Sequence, residues 1–244
     1  MEHRDRLWPG GYTFLYDDGL FRPSTDTFLL GAFPRLRRGM TVCELGAGTG
    51  LLSLLLLARE PELTVTGVEL QPQACALFRR TAEENGLQGR MHCLEGDLRQ
   101  GLLPPGRFRL AVANPPYFPP DAGAVAPDAA RRTARAETDC TLSQLCAAAA
   151  RALTWGGSFC LVHRPDRLAE RLAELFTLMS GAGLEPKRLR FVHHTAAAPP
   201  SLFLLEARLG GGVGLTVEPP LLLHGPDGGE TEDVRRAYFR DKEE

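Results

Sequence analysis

The sequence predicts an α/β fold with a doubly wound, seven-stranded, mostly parallel sheet that ends in an antiparallel C-terminal edge hairpin. From Thr41 onward, short β-like runs alternate with helical patterns, which is the order that builds a parallel sheet covered by helices on both faces. A glycine-rich turn follows the first run, where open α/β sheets place their ligands. Two late β-like runs, joined by a proline-bearing turn, supply the hairpin.

Hydrophobic runs and the residues that bound them predict the individual elements. Pro72 suits the first turn of a helix, and Asn85-Gly86 ends that helix. Pro115 and Pro116 force the chain out of the sheet, because a proline nitrogen cannot donate to a strand ladder. The predicted helices are 51–59, the segment from 72 to Asn85-Gly86, about 142–153, and 167–179. The predicted strands are 41–45, 64–69, about 91–95, 108–113, 158–163, 188–193 and 202–209.

The segments between and around these elements carry helix-start and turn signals. Ser24 offers good N-cap chemistry to an apolar segment, 25–36. The Pro, Ala, Gly and Asp content of 118–130 predicts a mobile loop beside the site, and Gly156-Gly157 predicts a turn. The tail is rich in Gly and Pro, with one short helix near 233–239 that belongs to an edge strand plus helix or to a docked extension.

The length of 244 residues is enough for one substantial core. We expect a single domain over 1–244, in which a core of 41–210 carries an N-terminal extension, 1–40, and a C-terminal extension, 211–244.

Composition excludes several classes of protein. A net charge of −2 argues against a basic footprint over the whole surface, so nucleic acid is expected to meet the chain locally. The six cysteines contain no C-x-x-C pair, which disfavours a zinc site and a disulfide framework. The N-terminus lacks the apolar core of a signal peptide, and the longest Leu-rich stretch, 51–58, is too short to span a membrane. We expect a cytoplasmic protein that binds no metal and no membrane.

The glycine-rich turn Gly46-Ala47-Gly48-Thr49-Gly50 begins two residues after an acid, Glu44. Dinucleotide sites have the spacing G-x-G-x-x-G, and a carboxylate at this place would repel a pyrophosphate. A carboxylate suits an ammonium instead, and glycines let a ligand approach the backbone. The turn therefore predicts a site for S-adenosyl-L-methionine (SAM), whose amino-acid end carries an ammonium.

Two further acids end the next two predicted strands. Glu69 is placed to accept both ribose hydroxyls of SAM, with Leu70 beside it. Asp97 can accept from the adenine amino group while the backbone of Leu98 donates to a ring nitrogen. Taken singly, each acid could equally well be a solvated side chain at the end of a strand with no ligand to bind. Their common position, at the carboxyl ends of successive strands, favours one shared ligand.

Asn114-Pro115-Pro116-Tyr117 follows the fourth predicted strand and is the candidate catalytic motif. If Asn114 Oδ1 and the Pro115 carbonyl each accept one N–H of a planar amino group, the nitrogen lone pair turns toward the methyl group of SAM. The prolines aim that carbonyl rigidly, and Tyr117, helped by Phe118, can stack on a flat acceptor. Asn114 also borders the predicted cofactor site. The motif predicts N-methylation of a planar amino group without a metal.

The order of these motifs carries a family resemblance. The segment Asp26-Thr27-Phe28-Leu29-Leu30-Gly31-Ala32-Phe33 precedes Glu44 to Gly50, Glu69, Asp97 and 114–118. This order resembles the bacterial valine-tRNA adenine-N6 methyltransferase family, an NPPY-type group of Rossmann-like class I methyltransferases that modify the adenine beside the anticodon. The resemblance covers nearly the whole chain, and 131–137, 161–165, 185–193 and the tail near Tyr238 are similar to a Gram-positive branch. It implies that Thr25 and Asp26 contact the methionine end of SAM.

The acceptor is predicted less directly than the cofactor. Arg131, Arg132 and Arg135 are candidates for RNA contact, and 187–194 holds a second basic cluster that either binds phosphate or is a solvated face. RNA adenine, most simply in tRNA, is the leading acceptor. A protein glutamine is the alternative, although about 40 residues before the core leave no room for the helical substrate domain that such enzymes usually carry. DNA is disfavoured because no target-recognition domain is evident, and the intact Asn114 and Tyr117 argue against a non-catalytic SAM- or RNA-binding role. A protein partner is possible but not indicated.

Overall fold

The structure is a computed structural model that describes residues 1–115, 140–165 and 168–242, apart from the side chains of 168–171. Six candidate site residues lie outside the described residues: Pro116, Tyr117, Phe118, Arg131, Arg132 and Arg135. The same is true of the predicted loop 118–130.

Strands and helices alternate through the core as the sequence predicts. The strands are β1 (Glu2–Arg6), β2 (Thr13–Asp17), β3 (Thr41–Leu45), β4 (Thr64–Glu69), β5 (Met91–Glu95), β6 (Phe108–Ala113), β7 (Leu153–His163), β8 (Leu184–His193), β9 (Pro200–Leu209), β10 (Thr216–Val217) and β11 (Leu221–Leu222). The helices are α1 (Thr25–Ala32), α2 (Leu51–Arg59), α3 (Pro72–Glu84), α4 (Leu142–Ala152), α5 (Leu168–Gly181) and α6 (Glu232–Ala237). Short 3₁₀ turns cover Leu98–Gln100 and Arg240–Lys242.

The central sheet has the order β10-β8-β9-β7-β6-β3-β4-β5, and β11 also pairs with β8. Strand β9 runs antiparallel to both β7 and β8, whereas the other pairings in this sheet are parallel. The α/β class, the mostly parallel sheet and the antiparallel β8–β9 hairpin are confirmed. The predicted count of seven strands needs a correction, because β10 and β11 extend the edge beyond β8 as two-residue strands.

Two apolar cores lie on the two faces of this sheet. One packs α1, α2 and α3 against it, and the other packs α4 and α5. Helix α2 is buried along nearly its whole length because α1 covers the side that faces away from the sheet, which explains its almost uninterrupted run of leucines. None of the helices among the described residues has the length and apolar character needed to cross a membrane.

Gly156-Gly157 forms a bulge within β7, so the predicted turn before this strand is wrong. Phe108 of β6 pairs with Leu153, but Leu110 pairs with Ser158, so β7 carries extra residues between two matched positions. Gly156 has φ +76°, a left-handed value that glycine adopts without strain. The strand therefore begins at Leu153, five residues before the predicted start.

The hairpin of β1 and β2 was not predicted. Its strands pair antiparallel from Glu2 opposite Asp17 to Arg6 opposite Thr13. Distant side chains of α3 and its C-cap hold it in place: Arg80 donates to both carboxylate oxygens of Glu2 at 2.7 and 2.8 Å, and Asn85 exchanges two hydrogen bonds with the Thr13 backbone. The sequence of β1 has no apolar alternation, which is why no local pattern indicated a strand.

The second basic cluster binds the C-terminal extension. Lys187 Nζ donates to the carbonyl oxygens of Gly212 and Gly214. Arg190 donates to the Pro219 carbonyl at 3.0 Å and to Asp233 Oδ2 at 2.6 Å. These bonds fasten 211–242 along β8. The cluster is therefore not simply a solvated face, because Lys187 and Arg190 hold the C-terminal extension in place.

The extension reaches back to α1 through Tyr238. This ring stacks on Phe28, with ring centroids 4.3 Å apart, and its hydroxyl donates to Thr25 Oγ1 at 3.0 Å. We expect Tyr238→Phe to lower the free energy of unfolding by about 1 kcal/mol, because it keeps the stacking and removes one hydrogen bond. Urea unfolding followed by circular dichroism measures this change. An unaltered midpoint would mean that the hydroxyl contributes nothing to docking.

Candidate active site

The three acid-bearing strand ends lie in register at the carboxyl edge of the sheet. Glu44 is paired with Gly67, and Glu69 is paired with Glu95. The turn after β3 is tied to β4 because the amides of Gly46 and Ala47 both donate to the Val68 carbonyl at 3.0 Å. The predicted alignment of strand ends is therefore present in the fold.

Two glycines of the turn have backbone angles and close neighbours that disfavour a side chain. Gly48 has φ +53°, and an added Cβ would lie 3.1 Å from Cδ2 of Phe21. Gly50 has φ +86° at the N-cap of α2, and its Cβ would lie 2.6 Å from Cδ2 of Phe78. The first glycine lets the loop around Phe21 close over the turn, and the second lets α2 begin directly against α3.

A cavity opens over the first half of this edge. It contains Glu44 and Asn114 together with most of the glycine turn. The N-terminal hairpin and the loop after it form one wall, which the sequence analysis does not predict because β1 has no apolar alternation. The lining residues are Phe14, Tyr16, Phe21, Arg22, Pro23, Thr27, Glu44, Gly46, Ala47, Gly48, Thr49, Leu51, Leu52 and Asn114.

A second cavity continues along the edge and shares Gly46 with the first. It lies over the ends of β4 and β5, where the ribose and adenine contacts are predicted. Its lining residues are Gly46, Val68, Glu69, Leu70, Gly96, Asp97, Leu98, Arg99 and Cys140. The structure thus brings together all the predicted cofactor residues after β4 and β5 and lays them beside the glycine turn.

Glu44 is 3% exposed and already holds the first turn of α2. Its Oε2 accepts from the amide of Ser53 at 3.0 Å and from the Ser53 hydroxyl. Burial raises the pKa of Glu44 to about 8, the bonds from Ser53 oppose that shift, and the neighbouring Glu69 adds to it. A cation placed beside Glu44 would therefore stabilise the ionised form of its carboxyl group.

Glu69 is buried and anchors the backbone around the site. Its Oε2 accepts from the amide of Gly48 at 2.8 Å, and its Oε1 accepts from the amide of Gln71 at 2.9 Å. Burial raises its pKa, and these backbone bonds offset part of the rise. Each carboxylate oxygen has a second lone pair, so these bonds leave acceptor capacity for hydroxyls.

Asp97 is paired with a neighbouring cation. Arg99 donates from Nε to Asp97 Oδ2 at 2.8 Å, and its backbone amide donates to Oδ1 at 2.9 Å. These hydrogen bonds lower the pKa of Asp97 and keep the carboxylate ionised. Arg99 was not predicted, although its position two residues after the acid in a 3₁₀ turn is a common local arrangement.

Asn114 extends from the end of β6 into the first cavity. Its Nδ2 donates to Thr27 Oγ1 at 3.0 Å, a contact that links the candidate catalytic motif to α1. Thr27 lines the cavity, whereas Thr25 and Asp26 are not among the lining residues and Thr25 accepts the Tyr238 bond. Pro115 is the last described residue of this segment.

Over 1–115, 140–165 and 168–242, no group of three or more His, Cys, Asp and Glu side chains is placed to hold a metal ion. All six cysteines are free thiols.

The doubly wound sheet and the acid-lined cavity at its carboxyl edge define a Rossmann-like methyltransferase. The chain belongs to the methyltransferase small domain family, which matches residues 22–182. It is 32% identical over 182 residues to the tRNA1(Val) (adenine(37)-N6)-methyltransferase of Yersinia enterocolitica, a match that covers 72% of this chain and 71% of that protein. It is 33% identical over 173 residues to the protein of the same name in Yersinia pestis, with 68% of each chain covered. The prediction of a SAM-dependent methyltransferase is confirmed.

Solved structures agree in fold. The chain is similar to a predicted O-methyltransferase from Agrobacterium tumefaciens, with a TM-score of 0.70, 22% identity, and coverage of 88% of this chain and 97% of that one. It is also similar to the geranyl diphosphate C-methyltransferase of Streptomyces coelicolor, solved with S-adenosyl-L-homocysteine, with a TM-score of 0.53, 14% identity and 75% of each chain covered. At these identities the likeness shows the fold alone.

Proposed function

We propose that this protein transfers the methyl group of SAM to the exocyclic N6 of an adenine in tRNA, the adenine beside the anticodon. The observation that carries the proposal is the position of Asn114, which lines the same cavity as Glu44 and the glycine turn. An amide at the end of β6 thus borders the place where the donor is expected. The names of the relatives described above support adenine in tRNA as the acceptor.

The donor set of the two cavities fits SAM. Glu44 offers a buried carboxyl for the ammonium, and Thr49 belongs to the turn around it. Glu69 and Leu70 border the ribose position, while Asp97 and Leu98 border the adenine position. Along the edge of the sheet, the acceptor for the ammonium comes first, then the glycine turn, then the acceptor for the ribose and last the acceptor for the adenine. The corresponding groups follow one another in the same order along SAM. Thr27 takes the place at the methionine end that the resemblance gave to Thr25 and Asp26.

SAM supplies an electrophilic methyl group when it is bound. The residues of the chain must make the adenine nitrogen nucleophilic, because its lone pair is delocalised into the ring. Asn114 Oδ1 and the Pro115 carbonyl accept the two N–H bonds, which turns the lone pair toward the methyl carbon. The N–C bond forms as the S–C bond breaks, and the extra proton then leaves the nitrogen for water. Pro116 keeps the Pro115 carbonyl rigid, and Tyr117 and Phe118 stack on the base.

The RNA contacts belong to the same proposal. Arg131, Arg132 and Arg135 bind phosphates on either side of the target adenine, and the unpaired anticodon loop lets that base enter the pocket at little cost in stacking. The similarity of 131–137 and 185–193 to a Gram-positive branch supports placing the protein there. A cytoplasmic location follows from a tRNA substrate.

A methylation assay tests the acceptor. Purified protein, radiolabelled SAM and unmodified tRNA are expected to give N6-methyladenosine in nucleosides released from the tRNA. Total protein from the same cells and double-stranded DNA are the matched alternative acceptors, because a planar amide or DNA adenine can use the same asparagine. If only protein is labelled, the acceptor is a protein glutamine and not tRNA adenine. If the protein binds SAM but no acceptor is labelled, the protein is non-catalytic.

The buried Glu44 predicts how SAM affinity depends on pH. With the pKa of Glu44 raised to about 8, the carboxyl is mostly protonated at neutral pH, whereas the SAM ammonium favours its ionised form. Binding therefore releases a proton below about pH 8, and affinity rises as the pH approaches 8, where the SAM ammonium, an α-amino group, also begins to lose its proton. Calorimetry at several pH values, in buffers of different ionisation enthalpy, measures both effects. Glu44→Gln is the matched control and should remove the dependence, while a flat profile in the unmodified protein contradicts the assigned role.

A further inference from the structure

Helix α1 brings a hydroxyl to the amide of Asn114. The bond from Asn114 Nδ2 to Thr27 Oγ1, at 3.0 Å, joins residues 87 positions apart in sequence. Both side chains are half-buried and line the cavity that contains Glu44. The contact is thus at the reacting end of the site.

The orientation of this amide decides whether the proposed chemistry works. An asparagine side chain presents an oxygen and an NH₂ group of almost the same size, but only the oxygen accepts from an N–H. If the amide turned over, its NH₂ group would face the adenine amino group and would oppose the reaction. A partner for the NH₂ side therefore selects the productive orientation.

Thr27 can serve as that partner because its own proton has another acceptor. Its Oγ1 lies 3.1 Å from Ser24 Oγ. When the Thr27 hydroxyl donates to Ser24, its lone pairs are left to accept from Asn114 Nδ2. The hydroxyl then acts as an acceptor toward the amide, which is the role that keeps Oδ1 on the substrate side.

Helix α1 is held firmly enough to define this geometry. Phe28, next to Thr27, is buried and stacks on Tyr238, while Leu29 and Leu30 are fully buried in the core. Thr25 is bonded to Tyr238, and Thr27, about 200° further around the helix axis, points to Asn114. A site residue works best when its support is packed in this way.

We propose that Thr27 is a positioning residue, which fixes the amide of Asn114 so that Oδ1 faces the amino group to be methylated. This inference rests on the proposed function. It assigns Thr27 a role in the rate of methyl transfer through Asn114, separate from any contact of its own with SAM.

A double-mutant cycle in the full-length protein tests the inference. Thr27→Val has nearly the same shape but no hydroxyl, and we expect it to lower kcat about tenfold, as the loss of one orienting hydrogen bond does. Thr27→Ser should recover most of that loss. In an Asn114→Ala background, Thr27→Val should have no further effect on kcat, because there is no amide left to orient. Thr41→Val, which removes a threonine hydroxyl at the far end of β3, is the matched control and should leave kcat unchanged.

The outcomes separate the inference from the proposed function. If the unmodified protein methylates no tRNA adenine, the proposed function fails. If the unmodified protein does methylate tRNA adenine, two results would show that the positioning role is wrong. The first is that Thr27→Val retains full kcat. The second is that Thr27→Val lowers kcat equally with and without the Asn114 amide. The second result would mean that Thr27 acts by holding α1 or by binding SAM.

Discussion

Asn114→Ala is expected to lower kcat on unmodified tRNA by at least about 100-fold while SAM affinity changes only a few-fold. The reason is that a preoriented dipole near the reacting nitrogen contributes mainly to the transition state, and removing one such group typically costs this much. The SAM contacts proposed for Glu44, Glu69 and Asp97 are untouched by the substitution. Single-turnover methylation with saturating SAM measures the rate, and calorimetry measures the binding.

Asn114→Asp provides the comparison that isolates the acceptor oxygen. Aspartate keeps an oxygen where Oδ1 lies but cannot donate to Thr27, so we expect its kcat to fall between those of the alanine variant and the unmodified protein. Normal turnover by Asn114→Ala would remove this residue from the chemistry. An equal loss of SAM affinity and of kcat would make Asn114 a binding residue only.

Most of the core could be predicted because its pattern is local. The run that forms β3 ends at the glycine turn, that of β4 ends at Glu69, and that of β6 ends just before Asn114 and the proline pair. The structure ends all three strands at the predicted residues. Gly156-Gly157 carries the same signal for a bulge as for a turn, since both need a left-handed glycine. Only the pairing of Phe108 with Leu153 distinguishes the two.

The N-terminal hairpin could not be predicted, because what stabilises it lies elsewhere in the sequence. Arg80, which is 78 residues away, binds Glu2, and Asn85 completes the hydrogen bonds of Thr13. This hairpin contributes Phe14 and Tyr16 to the cavity that contains Glu44 and Asn114. An important wall of the site was therefore missing from the sequence-based description, although the residues opposite it were identified.

Within the site, the positions of the acids could be predicted but their partners could not. A strand end places Glu44 or Asp97 at the correct edge of the sheet, whereas the bonds from Ser53 and Arg99 depend on how the following turn closes. The choice among Thr25, Asp26 and Thr27 depends on the rotation of α1 about its axis. Burial of Phe28 fixes that rotation and turns Thr27 toward the cavity.

The basic cluster on β8 shows that a run of cations in sequence does not specify its counter-ion. Its arginines are near one another in the chain, which suits phosphate binding and a solvated face equally well. The ion pairs of Arg188 and Arg190 are instead made with Glu206, Glu218 and Asp233. A tertiary partner that lies further along the chain decides the role, and it leaves no local signature.

Arg188→Ala is expected to lower the free energy of unfolding by about 3–5 kcal/mol, as breaking a buried ion pair does. The Arg188 and Glu206 side chains are 11% and 8% exposed, and they are joined by bonds of 2.9 and 2.8 Å to Glu206 Oε2. The same guanidinium bonds Glu218 at 3.2 Å, donates to the Phe33 carbonyl at 2.7 Å and stacks on the Phe33 ring. Its removal leaves Glu206 buried without its cation.

Urea unfolding of matched variants distinguishes this pair from a surface charge. Arg208→Ala, on the neighbouring strand and exposed, should change the free energy of unfolding by less than about 0.5 kcal/mol. Arg188→Met combined with Glu206→Leu should recover much of the loss, because no unpaired charge is left in the interior. If 211–244 detaches in Arg188→Ala, the dependence on urea should also become shallower, since less surface is then exposed on unfolding. Equal stability of the Arg188 and Arg208 variants would contradict the buried pair, and the C-terminal extension would then depend on its packing against α1.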